Sequence, residues 1–354
     1  MNVEHIIDMA RQAGASDVHL VCGLPVKFRL AGRLENAGVD GDAPLSHDDC
    51  EQLARRLAGD DFDRIQRIGE LDRAETIGGV RVRINLFRQQ GHASAALRLL
   101  SDRIPALETL GLPPAVMDFP RIQRGIVVVT GETGSGKSTT LAALIDSINH
   151  TRAENIITME DPIEYVHKHG TCIVTQREVP TDVATYSEAL RSAMRESPDV
   201  ILLGEMRDQD TIGTAVTAAE MAQLLFSTLH TTGAAGTVDR IIDAFPASQQ
   251  RQIRIQLSMV LQAIVSQQLV PTVDGGTAPA FEIMITNTAI RNLIREEKTH
   301  QLDSAIASGG AEGMRTMDQS LFDLVKSGRV AKEMALQYSI HQEALEKRFE
   351  TEGL

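Results

Sequence analysis

The stretch Ile126-Val-Val-Val-Thr130, followed by Gly131-Glu-Thr-Gly-Ser-Gly136-Lys137-Ser138-Thr139, decides the fold. A short apolar run rich in β-branched residues ends in a glycine loop, and Ser138–Asn149 then takes up a helical period. The loop reads Gly-x-x-x-x-Gly-Lys-Ser in the strand–loop–helix context that this motif requires. Its glycines let backbone amides turn toward a phosphate chain at the positive end of the helix. In such a loop Lys137 reaches the β- and γ-phosphates and the Ser138 hydroxyl ligates Mg²⁺. Gly131, Thr133, Gly134, Ser135, Gly136 and Thr139 complete the expected nucleotide-binding set. An ordinary glycine turn is the competing reading, and the flanking strand weighs against it.

The same design recurs downstream. Ile156–Met159, Val200–Leu203 and Leu224–Leu229 are short apolar strands ending in polar or glycine residues, and Tyr186–Arg195 is helical in period. Strand and helix alternating at this spacing predict an α/β protein with a parallel sheet covered on both faces. Ligands of such sheets sit beyond the carboxyl ends of the strands. There the second strand runs into Glu160-Asp161-Pro162-Ile163-Glu164, whose carboxylates suit metal ligation or activation of an attacking water, or else form a solvated acidic turn. The third ends at Gly204-Glu205-Met206-Arg207-Asp208, a Walker B arrangement in which Glu205 stands where Asp is more usual. Asp199 lies before that strand, at the wrong end, and reads as a cap or turn residue. The fourth ends at His230, which is either a structural histidine or, from its place on the phosphate side, a sensor of the γ-phosphate. Together these pieces specify an NTPase.

With 354 residues the chain is long enough for two domains and an ample core. From Asn2 to about Leu100 the pattern is that of a small α+β domain. It has a helical segment at Ile6–Ala10 and a hairpin of Val26–Leu30 with Arg33–Leu34 around Ala31-Gly32. Alternating strands follow at Val80–Leu86 and Ala93–Leu99. The stretch Ser101–Gln123 holds Pro105, Pro113, Pro114 and Pro120 and reads as a connector. Near the end, Thr272–Pro279 reads as a loop and Phe281–Ile285 as a last strand. A helical remainder follows, in which Thr316 and Gln319 form a capping box and Gly328 closes the helix. The net charge of −13 opposes a phosphate backbone, and 3% aromatics with no Trp leave no base-stacking platform. No apolar run approaches a membrane span, Met1-Asn-Val-Glu-His lacks a signal-peptide pattern, and Cys22, Cys50 and Cys172 form no Cys-x-x-Cys pair. The expected location is cytoplasmic.

Phosphoryl transfer commonly recruits an arginine against charge developing on the γ-phosphate. Arg81, Arg83 and Arg98 lie on strand faces of the first domain, and Arg191, Arg195 and Arg207 flank the third strand. A solvated face is the plain reading of each, and for Arg81 it is the reading adopted.

At these residues the chain resembles the secretion-type ATPases of type IV pili and type II secretion, and among them the pilus-retraction branch. The resemblance covers Gly131–Thr140, Ile157–Glu164 (the family's aspartate box), Val200–Asp208, Thr228–Thr231 and Ala289-Ile-Arg-Asn-Leu-Ile-Arg295-Glu296, a retraction signature. Read on its own, that last stretch is an amphipathic helix with Ile290, Leu293 and Ile294 inward. The resemblance implies an N-terminal PAS-like α+β domain (1–102), a linker (103–122) and a RecA-like P-loop ATPase domain (123–354) whose C-terminal end is helical from about 286. It implies a homohexameric ring that binds ATP and Mg²⁺ between the domains. Glu164 serves there as general base, Glu205 holds the metal's water, and Arg83 and Arg98 point at the phosphates. The implied work is type IV pilus disassembly and twitching motility. It is done against an inner-membrane platform protein at the cytoplasmic face, without nucleic acid or membrane insertion. The extra N-terminal domain and zinc-binding Cys-x-x-Cys pairs of the polymerising and type II relatives do not occur in the sequence, which favours retraction.

Three departures stand out. The family's Ala-Glu-Thr-Gly-His-Leu is Ala219-Glu220-Met221-Ala222-Gln223-Leu224 here, Glu132 replaces Pro in the phosphate loop, and Glu297 stands where Gly is common. The altered block motivates an alternative, a regulatory nucleotide-binding paralogue with little or no turnover. A nucleic-acid motor is a further alternative, opposed by the charge and the missing aromatics.

Overall fold

A computed structural model describes residues 2–30, 32–100 and 103–354. Ala31 of the expected hairpin turn, and Ser101 and Asp102 at the head of the expected connector, lie outside the described residues. Contacts divide the chain into two compact units: one of residues 1–104 with Pro162–Val166, the other of Pro105–Asp161 with His167–Leu354.

The first unit runs α1 (Val3–Gln12), β1 (Asp17–Leu20), β2 (Lys27–Leu30), β3 (Arg33–Asn36), α2 (His47–Ala58), α3 (Phe62–Ile68), β4 (Glu70–Ile77), β5 (Val80–Gln89) and β6 (His92–Leu99). Its strands form one antiparallel sheet in the order β3-β2-β1-β6-β5-β4. Alternation decides which face is buried. Val80, Val82, Ile84 and Leu86 join Ile6, Ile7, Leu53 and Leu57 in the core, while Arg81 and Arg83 take the other face. Asn2 starts α1 by accepting from the Glu4 amide at 2.8 Å, and Ser46 with Asp49 forms a full capping box on α2. The β4–β5 hairpin turns on Gly78-Gly79, both at positive φ, as a two-residue turn of matching twist requires.

The second unit carries α4 (Pro114–Met117), β7 (Gly125–Thr130), α5 (Lys137–Thr151), β8 (Asn155–Glu160), β9 (Ile173–Glu178), α6 (Tyr186–Ala193), β10 (Val200–Leu203), α7 (Gln209–Glu220) and β11 (Leu224–Leu229). It continues with α8 (Ala234–Asp243), α9 (Ala247–Val260), β12 (Leu261–Pro271), β13 (Thr277–Ile285) and helices α10 (Thr288–Arg295), α11 (Leu302–Ser308), α12 (Met317–Lys326), α13 (Lys332–Tyr338) and α14 (Gln342–Glu352). The sheet order is β13-β12-β7-β11-β10-β8-β9, parallel throughout except for the antiparallel β12–β13 pair. β7, β10 and β11 are buried along their whole length, as strands covered on both faces must be.

The four expected strands are present, and β9 and β12 are additions to them. The expected loop Thr272–Pro279 is shorter than its composition suggested, because β13 begins at Thr277 and takes in Pro279. β13 is an edge strand, where a missing amide costs no ladder bond. The proline-rich stretch is packed rather than extended. Leu107, Val116 and Phe119 are buried, and Arg152 at the end of α5 donates to the carbonyls of Pro120 and Ile122 at 3.0 and 2.8 Å. The Thr316 box is half made: its side chain accepts from the Gln319 amide, but Gln319 turns to Asp323 at 2.8 Å.

Candidate functional site

The phosphate loop springs from the buried end of β7 and is braced from behind by Gln267 on β12. At Gly131 (φ +140) a Cβ would come within 2.2 Å of the Gln267 carbonyl oxygen, and at Gly136 (φ +89) within 2.7 Å of its side-chain nitrogen. These two glycines are therefore demanded by close approach as well as by backbone angle. Thr140, one turn into α5, donates its hydroxyl to Gln267 Oε1 at 2.9 Å. On the open side, Gly134 (φ +84) has nothing near a would-be Cβ, and Thr133 and Ser138 are exposed. Lys137 is 8% exposed, and its ammonium donates to the carbonyls of Gly131 at 2.8 Å and Glu132 at 2.7 Å. Ser135 is buried and Thr139 half-buried within the loop.

The ends of the neighbouring strands bring further groups to the same side. The Gly204 amide donates to Met159 at 2.8 Å, and Thr228 donates to the Gly204 carbonyl at 2.6 Å, which locks the exit of β10 between β8 and β11. The Glu205 carboxylate is 12% exposed and pairs with Arg207 at 2.5 Å, with His230 Nε2 3.8 Å away. Burial holds the His230 imidazole below its ordinary value; the Lys137 and Arg207 charges add to this and Glu205 opposes it. Lys137, Glu205 and His230 are thus gathered within one electrostatic neighbourhood. Glu160 accepts from Thr158 at 2.6 Å and from Gln176 of β9 at 3.2 Å. Asp199, at the other end of the sheet, accepts from the Asn155 amide at 2.9 Å and so joins strand starts.

The remaining expected residues belong to the first unit. Glu164, half-buried, lies in the Pro162–Val166 segment grouped there. Arg83 and Arg98 stand on neighbouring strands, ion-paired with Asp72 at 2.7 Å and Asp17 at 3.0 Å. Arg81 departs from its expected solvated role, since it is half-buried and donates through Nε to the Ile163 carbonyl at 3.2 Å. Gln267 and this contact of Arg81 escaped the sequence reading. An apolar run with β-branched residues at Ala263–Val265 was the available signal for the strand that carries Gln267.

Two departures from the family pattern fall on one kind of site. At the end of α7, Gln223 donates to the Ala218 carbonyl at 3.4 Å and Ala222 to Ala219 at 3.2 Å, with Ala222 at φ +73. At the end of α10, Lys298 donates to Leu293 at 2.9 Å and Glu297 to Ile294 at 3.4 Å, with Glu297 at φ +59. Both are Schellman motifs whose left-handed position favours glycine. The expected α10 is present, with Ile290 and Ile294 fully buried.

A RecA-like parallel sheet with a phosphate loop, a Walker B acid and a histidine at its carboxyl edge, in a chain that also carries an α+β unit, defines a P-loop ATPase of the secretion type. The chain belongs to the family of Type II/IV secretion system proteins, which it matches over residues 2–348. It is 44% identical over 340 residues to the type IV pilus retraction ATPase PilT of Pseudomonas aeruginosa, covering 95% of this chain and 97% of that one. It is 48% identical over 266 residues to the twitching motility protein of Neisseria gonorrhoeae, covering 75% and 71% of the two chains. A crystal structure of the pilus retraction motor PilT with bound ADP superposes with a TM-score of 0.92 at 44% identity, over 98% of this chain and 99% of that one. Among the described residues no helix is long and apolar enough to cross a membrane.

Proposed function

We propose that this protein is an ATP-hydrolysing motor of type IV pilus retraction, built as a homohexameric ring. The observation that carries this reading is the gathering of Lys137, Glu205 and His230 around a braced phosphate loop, in a chain similar along its length to a pilus retraction ATPase. The nucleotide's phosphates would lie along Gly131–Thr139, with Lys137 turned to the β- and γ-phosphates. The Ser138 hydroxyl and Glu205 carboxylate offer the hard oxygen ligands that Mg²⁺ prefers. That ion would supply charge neutralisation on the phosphates. Glu164 is assigned as general base and Arg83 and Arg98 as phosphate-directed cations, from a PAS-like domain of residues 1–102 joined through 103–122 to an ATPase domain of 123–354. The motor would act at the cytoplasmic face of the inner membrane on a platform protein of the pilus machine. His230 would report on the γ-phosphate.

The test is Mg²⁺-dependent ATP hydrolysis by the wild type, Lys137→Ala, Glu164→Gln and Glu205→Gln. The expected outcome is no turnover for Lys137→Ala, and for Glu164→Gln retained ATP binding with hydrolysis slowed on the order of a hundredfold or more. Retained turnover in Lys137→Ala sinks the site. An active Glu164→Gln beside a trapped Glu205→Gln moves the base to Glu205. Tight ATP binding by a wild type that never turns over favours the regulatory paralogue.

A further inference from the structure

His230 leaves the sheet at the end of β11, and the chain returns to it at the start of α8. The positions that frame this crossing lie in one row. Leu229 of β11 is opposite Thr130 of β7, Thr130 is opposite Ser266 of β12, and Ser266 is opposite Glu282 of β13. Residues 230–232 therefore pass the end of β7, where the phosphate loop begins, on the way to β12 and β13. Two strand spacings of about 4.8 Å make a gap of about 10 Å, and the steps from Leu229 to Gly233 reach at most about 14 Å. The segment has little slack, so the anchor at its far end decides where His230 stands. Gly233 caps α8 with no side chain of its own, and the first amides of that helix are satisfied from the sheet. The Gly233 amide donates to Ser266 Oγ at 3.1 Å, and the Ala234 amide donates to Glu282 Oε1 at 2.7 Å. Ser266 and Glu282, directly opposed and so on one face, are 1% and 3% exposed. Gly233 stands at φ +77, with Glu282 Oε1 only 3.4 Å from where its Cβ would lie. A carboxyl group buried this deeply is costly to keep unless its oxygens are bonded, and the bond it makes here is to the turn.

We propose that Ser266 and Glu282 are positioning residues of the nucleotide site, which set His230 toward the γ-phosphate by holding the turn that follows it. The proposal rests on the ATPase reading above, in which His230 reports on that phosphate, and says what fixes the reporter. Thr237 completes the turn: it donates to the Gly233 carbonyl at 2.6 Å, and its hydroxyl lies 2.7 Å from that of Thr231. Gln267, the next residue along β12, braces the phosphate loop. Adjacent residues of one strand thus hold the loop that takes the phosphates and the turn that reads the last of them. A loosened turn lets His230 sample more orientations. The loss falls on ATP and not on ADP, which offers His230 no γ-phosphate to meet.

Equilibrium binding of ADP and of a non-hydrolysable ATP analogue, both with Mg²⁺, is measured for the wild type, Ser266→Ala, Glu282→Met, Glu282→Gln and His230→Ala. Ser266→Ala and Glu282→Met should each weaken the analogue about fivefold, as loss of one hydrogen bond predicts, and leave ADP affinity unchanged. Glu282→Gln keeps an acceptor for the Ala234 amide and should keep the wild-type preference. Added to His230→Ala, Ser266→Ala should change that preference no further, because both act through one side chain. An unchanged analogue-to-ADP ratio in Ser266→Ala overturns the proposal. An equal loss of both nucleotides also overturns it, as the mark of a merely structural role, and so does a Glu282→Gln that behaves as Glu282→Met. Should Glu282→Met fail to fold, Ser266→Ala alone decides. An unchanged ratio in His230→Ala overturns the γ-phosphate reading of His230 itself, and the assignment with it, so the two failures are distinct.

Discussion

Arg83 on β5 and Arg98 on β6 stand directly opposite one another across the antiparallel pair. Like charges so placed repel, and the neighbouring strands answer them with Asp72 beside Arg83 and Asp17 beside Arg98. Asp17 is itself opposite both Arg98 and Arg29, so one acid stands between two bases on this row of the sheet. Each arginine is therefore held ready without being buried, Arg98 being 64% exposed in its side chain.

If these arginines serve the phosphates, Arg83→Ala and Arg98→Ala should each lower kcat by about tenfold or more while Tm moves little, because each removal also relieves a like-charge contact. ATPase assays with melting curves read both quantities. Full turnover in either variant removes that arginine from the site.

Gln267 ties β12 to the phosphate loop and to Thr140. Gln267→Leu leaves the buried Thr140 hydroxyl without its acceptor and should weaken ATP binding by roughly 1–2 kcal/mol, about five- to thirtyfold in Kd. Isothermal titration measures it. Unchanged affinity would mean that the loop holds its shape without the brace.

Ala222 and Glu297 occupy left-handed positions that cost a side chain roughly 1 kcal/mol over glycine. Ala222→Gly and Glu297→Gly should therefore each stabilise the fold by about 0.5–1 kcal/mol, less for Glu297, which lies 3.5 Å from Arg254. Urea denaturation is the measure. A loss of stability in both would show that the helix ends relax without strain.

His167 is buried with Nδ1 lacking a hydrogen-bond partner, and burial holds its ionisation below the ordinary 6.5 despite Asp146 at 3.9 Å. The unfolded chain then binds more protons than the folded one between 6.5 and the depressed value, so stability falls as pH drops through that window. His19, lowered for the same reason of burial, adds to the slope. The urea midpoint should decline from about pH 7 to about pH 5, and His167→Phe should make that decline shallower. An identical slope in the variant would rule His167 out as its source.

What was legible in the sequence was what is contiguous. β7, β10 and β11 are unbroken apolar runs, and the phosphate loop holds its chemistry within nine residues, Gly131–Thr139. β12 was hidden because α9 passes into it at Val260–Leu261 with no Gly or Pro to punctuate the change of period. β9, an edge strand of mixed burial, shows neither clean alternation nor an apolar run. Gln267 reaches the phosphate loop from a distant part of the chain, and no local pattern announces such a meeting. The family's glycine at position 297 is accounted for by the left-handed backbone angle there, and the Glu that replaces it has no structural explanation.

The two carbonyl contacts of Lys137 bear on how the motor lets go of nucleotide. On the proposed function, an arriving phosphate would compete with Gly131 and Glu132 for the same ammonium protons, so the lysine would contribute to affinity only the difference between two sets of good partners. The departing product is correspondingly replaced by acceptors already within reach. A loop wired in this way would favour exchange over retention, as an enzyme whose task is repetition requires.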